Sequence, residues 1–393
     1  MSTPIGIHDL AVATGRYSLD LAELAEHGNV DVDKYYIGLG QEKQSIVAAD
    51  EDIVTMAAAA ARPVLDRNGT DGIRTIMLAT ETGIDQSKSA AVYVHGLLGM
   101  PADVRAVELK QACYSGTSAL QFAAGIVARN PEERVLVITS DVAWYDLDSS
   151  GEATQGAAAV AMLISANPKV AVLDTVAGLH TSDVQDFWRP NYRSTPVVDG
   201  KLSIDTYLSA LEHAWADYTA RGGHGIGEFH GFCYHQPFSR MAYKAHARLL
   251  EINGIEASRE RLDADLAQTT RYGRIIGNSY SAALYIALFG VLDQQEDLTG
   301  ETIGMFSYGS GCVSEFFSLT VVPGYRDTLD LERDREAVFG REPIDYATYR
   351  GLREATLPTD GSRAELPASG TGPYRLAAID GHSRIYEAIE KQP

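Results

Sequence analysis

This chain is short of cysteine, short of basic side chains and without a long apolar run. Its 393 residues hold three cysteines, at 113, 233 and 312, an odd number with wide spacing and no Cys-x-x-Cys pair. Such a pattern argues against a disulfide framework or a zinc site and fits a reducing compartment. Lysine and arginine total 33 against 53 aspartates and glutamates, a formal net charge of −20. Nucleic acid and anionic membrane surfaces are polyanions, so neither is an expected partner. No stretch approaches the ~18 apolar residues of a membrane span, and the start, Met1-Ser-Thr-Pro-Ile-Gly-Ile-His-Asp9, lacks the basic-then-apolar order of a signal peptide. The expected location is the cytoplasm.

What is present is a globular composition, 45% hydrophobic and 22% charged, long enough for two domains with their own cores. Apolar, β-branched runs of strand length alternate with helical stretches: Ile73–Ala79, Arg105–Leu109, Val135–Thr139, Val170–Leu173, Gly231–Tyr234, Thr302–Ser307 and Phe316–Val322. This alternation predicts α/β layers. Asp52–Leu65, with alanine at every position from 57 to 61, predicts a buried helix that Pro63 ends or bends. Gly151–Ile164 predicts a glycine-containing loop running into a buried strand, and the domain boundary is placed near 166, giving halves of 1–166 and 167–393. Asp183–Lys201, rich in proline, aromatic and charged residues, predicts a long ordered excursion of the functional kind, and Thr359–Gly372 reads as loop. Gly-x-Gly occurs at 38–40 and 309–311 without the flanking pattern of a dinucleotide site.

Four segments share one design, an apolar run ending in a reactive or donor-rich turn. Cys113 lies between such a run and Ser115-Gly-Thr117, where Ala119, Leu120, Phe122, Ala123, Ile126 and Val127 recur at helical spacing as far as Asn130-Pro131. A helix N-terminus carries about half a positive charge and free N–H groups, which favour a thiolate. The segment alone fits a packed core cysteine equally well. Glu81 follows directly on Ile73–Ala79, where a strand end could carry it into a cleft and desolvation raise its pKa; a solvated loop carboxylate is the plainer reading. His235 ends the short run Gly231–Tyr234, and Phe306-Ser-Tyr-Gly-Ser-Gly311 could offer turn amides to an oxyanion or be an ordinary turn. Arg240, Lys244, His246 and Arg248 form a basic cluster that fits an anion site or a solvated helix face. A thiolate, a carboxylate and a histidine together suffice for covalent carbon chemistry.

The segments Thr80-Glu-Thr-Gly-Ile-Asp85, Ala112-Cys-Tyr-Ser-Gly-Thr117, Gly151-Glu-Ala-Thr-Gln-Gly156, Asp186-Phe-Trp-Arg-Pro190, His235-Gln-Pro-Phe238, Gly277-Asn-Ser-Tyr280 and Phe306–Gly311 closely resemble the 3-hydroxy-3-methylglutaryl-CoA synthases of the mevalonate pathway, in their compact bacterial form. The resemblance runs over nearly the whole chain. It implies a thiolase-like fold, with two similar α/β halves in a layered α-β-α-β-α arrangement, and a homodimer. It implies acetyl-CoA and acetoacetyl-CoA as substrates, with no cofactor and no metal. By the same resemblance Cys113 accepts the acetyl group, Glu81 is the general acid/base and His235 holds acetoacetyl-CoA and polarises its ketone beside Asn278. Ser310 lies in the oxyanion turn, while Thr154, Ser203, Arg240 and Lys244 fall on contacts to CoA or the acyl chain. Asp85, Asp141 and Asp186 match supporting acidic residues. Arg240 stands where relatives often have lysine, and Ser150 where some carry asparagine. The nearest alternative is an enzyme of the same type that acts on a β-ketoacyl chain held by a carrier protein in polyketide β-branching; a silent scaffold of the same fold, a thiolase and a ketoacyl synthase are further ones.

Overall fold

Nine strands form one mixed sheet: β1 (Ile5–Thr14), β2 (Ile73–Ala79), β3 (Arg105–Leu109), β4 (Arg134–Val142), β5 (Ala157–Ala166), β6 (Ala171–Thr181), β7 (Gly231–Tyr234), β8 (Thr302–Gly309) and β9 (Val313–Val321). Their order is β7-β8-β9-β6-β1-β5-β4-β2-β3, and β1 lies at the centre, paired antiparallel with β5 and, at Gly6 and Ile7, with β6. The computed structural model describes residues 3–389. The main helices are α1 (Ile53–Asn68), α2 (Ala90–Leu97), α3 (Ser115–Arg129), α4 (Gly200–Ala220), α5 (Ser239–Ile252), α6 (Arg259–Thr270), α7 (Ala283–Leu292) and α8 (Tyr346–Glu354).

Strand alternation sorts the core into layers. Ile76, Leu78, Leu136 and Ile138 pack with Ala57, Val64 and Val94 of α1 and α2 on one outer face. Their neighbours Met77, Ala79, Val135 and Val137 turn the other way, toward Leu120 and Ala123 of α3. Across the second half, Phe232, Tyr234, Phe306 and Phe316 meet Trp215 and Met241 of α4 and α5, while Cys233, Met305 and Phe317 face α7 in the central layer. Every residue of α7 is buried, as a helix apolar on all sides requires. The result is the expected α-β-α-β-α stack, each fully buried Leu, Val or Phe contributing about 2 kcal/mol of burial. Among the described residues no helix is long and apolar enough to cross a membrane.

Two expectations need correction. Pro63 does not end α1, which runs on to Asn68; the Ala59 carbonyl that proline leaves without its amide accepts from Arg333 Nη2 at 3.1 Å. The strand expected at Val170–Leu173 is much longer, Ala171–Thr181, because its far half pairs with β9 as far as Thr181. The end of the chain packs back on its beginning: Glu342–Ile344 pairs with Tyr17–Leu19, and Arg384 and Tyr386 bind Asp52 at the start of α1.

Candidate active site

β2 ends at Ala79, and a buried carboxylate on β4 fixes the turn beyond it. Asp141 Oδ1 accepts from Thr80 Oγ1 at 2.8 Å, Glu81 N at 2.8 Å, Thr82 N at 2.9 Å and Thr82 Oγ1 at 2.7 Å. Its Oδ2 accepts from the amide of Ser281 at 3.0 Å and from the Ser281 hydroxyl, just ahead of α7. So anchored, Glu81 presents Oε2 to the Cys113 sulfur at 3.2 Å. Arg189, from the 183–201 excursion, donates to the Glu81 carbonyl. Burial and then the nearby Asp141 carboxylate push Glu81 up to about 8, although the side chain keeps some solvent access.

Cys113 sits two residues ahead of α3, on a tight turn in which Ala112 takes φ 44° and Ser115 N donates to Ala112 O at 3.2 Å. Of the two readings that the segment leaves open, a thiolate favoured by the helix N-terminus and a packed cysteine, the resting structure is nearer the second: burial and the facing Glu81 carboxylate raise the thiol well above its ordinary value. A helix end contributes about 0.3–1 kcal/mol, whereas desolvating a charge costs several kcal/mol. In this state the thiol keeps its proton and Glu81 is the group placed to take it.

The sulfur opens on a cavity of about 440 Å³ whose lining includes His235, Asn278, Thr154, Ser203, Lys244 and Ser310. His235 follows β7, with its backbone held by Phe306 O at 2.9 Å and Tyr207 OH at 2.8 Å. Burial alone pushes its imidazole down to about 3, so the ring is neutral, and its buried Nδ1 has no hydrogen-bond partner among the described residues. Asn278 is brought beside Thr154 by a crossing of two backbones: a Cβ on Gly277, at φ 86°, would lie 1.8 Å from Gln155 O, and Asn278 N bonds Thr154 O at 2.8 Å. The Ser310 turn reaches Cys113 for a similar reason. A Cβ on Gly309 would stand 2.5 Å from Gln111 O and 2.6 Å from Tyr114 Cβ. Asp186, fully buried, accepts from Gly311 N at 2.9 Å, Tyr308 OH at 2.6 Å and Ser203 Oγ at 3.3 Å, tying that turn to α4.

Not every predicted residue arrives. Asp85 is exposed and caps its own turn, accepting from Ser87 N and Lys88 N at 2.7 Å each, so within this chain it supports a loop and not the site. The basic cluster is divided. Lys244 lines the cavity; Arg240 donates to Ile37 O at 2.9 Å and lies over Tyr243; His246 is buried between Tyr234 and Asp265; Arg248 pairs with Glu212 and Glu251. Ser150 does line the cavity. Residue reasoning missed an aromatic cage at the sulfur: Tyr145, Phe187 and Tyr280 meet edge to face with centroids 5.9–6.5 Å apart and pack with Cys113. Its members come from three distant segments, and only the aromatic content of 183–201 hinted at one of them.

Similarity to known proteins extends over nearly the whole chain. Family models described as hydroxymethylglutaryl-coenzyme A synthase, N terminal and C terminal, match residues 2–169 and 171–254 with 250–337. The hydroxymethylglutaryl-CoA synthase of Enterococcus faecalis is 38% identical over 97% of this chain and 99% of its own length. The polyketide biosynthesis 3-hydroxy-3-methylglutaryl-ACP synthase PksG of Bacillus subtilis is 33% identical over 91% of this chain and 88% of its own. A crystal structure of an HMG-CoA synthase complexed with CoA superposes with a TM-score of 0.92 at 36% identity, covering 98% of this chain and all of that one. With a cysteine, a carboxylate and a neutral histidine brought together on this layered fold, the chain belongs to the hydroxymethylglutaryl-CoA synthase family.

Proposed function

We propose that the chain joins acetyl-CoA to acetoacetyl-CoA with water, giving 3-hydroxy-3-methylglutaryl-CoA and free CoA, the step that supplies mevalonate for isoprenoid precursors. The observation that carries the residue roles is the 3.2 Å contact between the Cys113 sulfur and Glu81 Oε2 beside the cavity that holds His235. Ionised Glu81 takes the thiol proton, the thiolate attacks the acetyl-CoA carbonyl carbon, and the C–S bond to CoA breaks. CoA leaves as its thiol with that same proton. Glu81, again a carboxylate, removes a proton from the methyl of acetyl-Cys113. Turn amides around Ser310 hold the enolate oxygen, each such donor being worth about 3–4 kcal/mol. The methyl carbon then attacks the ketone of acetoacetyl-CoA. The neutral His235 donates a hydrogen bond to the ketone oxygen, and the proton returns from Glu81 to the new alkoxide. Water attacks the Cys113 thioester and the C–S bond breaks; one water proton restores the thiol and the other leaves to solvent, so the product departs as a carboxylate. A pKa of about 8 lets one carboxyl serve as base and acid near neutral pH.

We further read the chain as two halves, 1–166 and 167–393, working in the cytoplasm as a homodimer. The strand β3 closes one end of the sheet with an unpaired outer edge among the described residues, which favours a second copy there. Sedimentation measures the assembly. For the reaction, purified protein is given labelled acetyl-CoA and acetoacetyl-CoA. The expected result is a labelled adduct on Cys113 that is chased into 3-hydroxy-3-methylglutaryl-CoA. A strict requirement for a carrier-protein-bound acceptor would replace this reading by the polyketide one, and absence of any adduct would overturn both.

A further inference from the structure

The segment 143–155 forms one wall of the cavity, yet the groups that hold it come from the far end of the chain. Helix α8 lies on a small sheet and buries Tyr349 completely against Leu19 and Ile46, with Leu147 of the wall packed beside them. From there Tyr349 OH donates to Glu152 Oε1 at 2.7 Å and accepts from Gln155 Nε2 at 2.9 Å. One turn on, Arg353 Nη2 donates to the carbonyl of Tyr145 at 2.7 Å, and Nη1 donates to Gln155 Oε1. That same Gln155 oxygen accepts from the amide of Tyr145 at 2.8 Å. Both backbone polar atoms of Tyr145 therefore end on groups that α8 holds. The Arg353 guanidinium also covers the Trp144 ring at 4.3 Å, and the second Glu152 oxygen accepts from Asp148 N at 2.6 Å.

What this network places is the Tyr145 ring. It is buried, backed by the Cα of Gly151, where a Cβ would come within 2.6 Å of the ring, and it packs in one cluster with Phe187, Tyr280 and Cys113. The space left at the sulfur is what a donor acyl group must fit. We propose that Tyr349 and Arg353 are positioning residues that set the size of the acyl group Cys113 accepts, by fixing Tyr145 through Glu152 and Gln155. The inference rests on the reading of Cys113 as the acyl carrier. Aromatic walls discriminate one methylene by about 10- to 200-fold when they are fixed; a wall free to move by a fraction of an ångström loses that discrimination first.

The test offers equal amounts of acetyl-CoA and propionyl-CoA to the full chain and reads the acyl group on Cys113 by intact mass. The wild type carries acetyl almost alone. Tyr349→Phe and Arg353→Met each raise the propionyl fraction at least fivefold, and the double variant falls short of the product of the two because they act on one segment. Asp345→Ala removes the cap of the same helix, where Asp345 accepts from Thr348 N at 2.8 Å, and leaves the ratio unchanged although it lowers the melting temperature. An unchanged ratio in both positioning variants, or an equal shift in Asp345→Ala, overturns the proposal. Should Tyr349→Phe not fold, Arg353→Met, on a partly exposed side chain, decides alone. If the wild type carries no acyl group at all, the role of Cys113 fails instead.

Discussion

Glu81 shows how a single side chain is tuned against the interests of the fold. Its pKa rises from the ordinary carboxylate value to about 8, so between roughly pH 4.5 and 8 the unfolded chain ionises this group while the folded chain keeps it neutral. Stability from this site is therefore present below pH 4.5 and is lost as pH rises toward 8. Glu81→Gln has no such linkage. Its thermal midpoint should exceed that of the wild type at pH 8, by a few degrees, with the gap closing toward pH 5, while condensation falls by about 10³ or more. Melts at several pH values check the first part and a product assay the second. In the proposed mechanism ionised Glu81 receives the Cys113 proton, so the rate of adduct formation should climb through pH 8 and level off above it. A rate that is flat from pH 6.5 to 9 would count against this carboxylate as the base.

Elements meet at the site through backbones that tolerate no side chain. Gly309→Ala would drive a Cβ into Gln111 O and Tyr114 at the end of β8, and the Ser310 turn has to withdraw from Cys113. The expected cost is ~1–3 kcal/mol in stability with a loss of roughly 10²-fold in turnover. Gly96 in α2 has nothing within 4 Å, so Gly96→Ala should gain up to about 1 kcal/mol and leave turnover alone; denaturant melts and steady-state kinetics on the pair separate the two. These meeting points also mark what the sequence disclosed. Apolar runs that end on Glu81 and His235 were legible because burial of a strand is written locally in its residues. Asp141 and Asp186 were not legible that way: their work is to accept bonds from positions up to 140 residues away, and only the family resemblance pointed to them. The central strand β1 escaped too. A bulge between Ile7 and Asp9 breaks its alternation, and a fully buried aspartate in mid-strand makes sense only once Arg67 and Asn68 of α1 are seen to bind Asp9 at 2.8 and 2.6 Å.

Across the whole molecule, buried histidines and buried carboxyls pull stability in opposite directions with pH. His8, His235 and His246 are all held below their usual pKa, burial being the largest cause in each. Their contribution is present above pH 6.5 and is lost as pH falls, for His235 through the range from 6.5 to about 3. Over part of that range Glu81 and Glu315, raised to about 8 and about 7, work the other way. His235→Asn removes one of the two opposing contributions: its stability relative to the wild type should improve as pH falls below 6.5, by up to ~1.4 kcal/mol per pH unit, as urea midpoints at several pH values would read. The layered design also dictates when the chemistry becomes possible during synthesis. Cys113 and Glu81 leave the ribosome in the first third of the chain, but the serine that completes the Asp141 anchor is residue 281 and the turn facing the sulfur is residue 310. N-terminal segments fold first as a chain is made. A nascent first half thus carries Cys113 and Glu81 without the Ser310 turn, so under the proposed mechanism acyl transfer is withheld until the second half has been translated and docked.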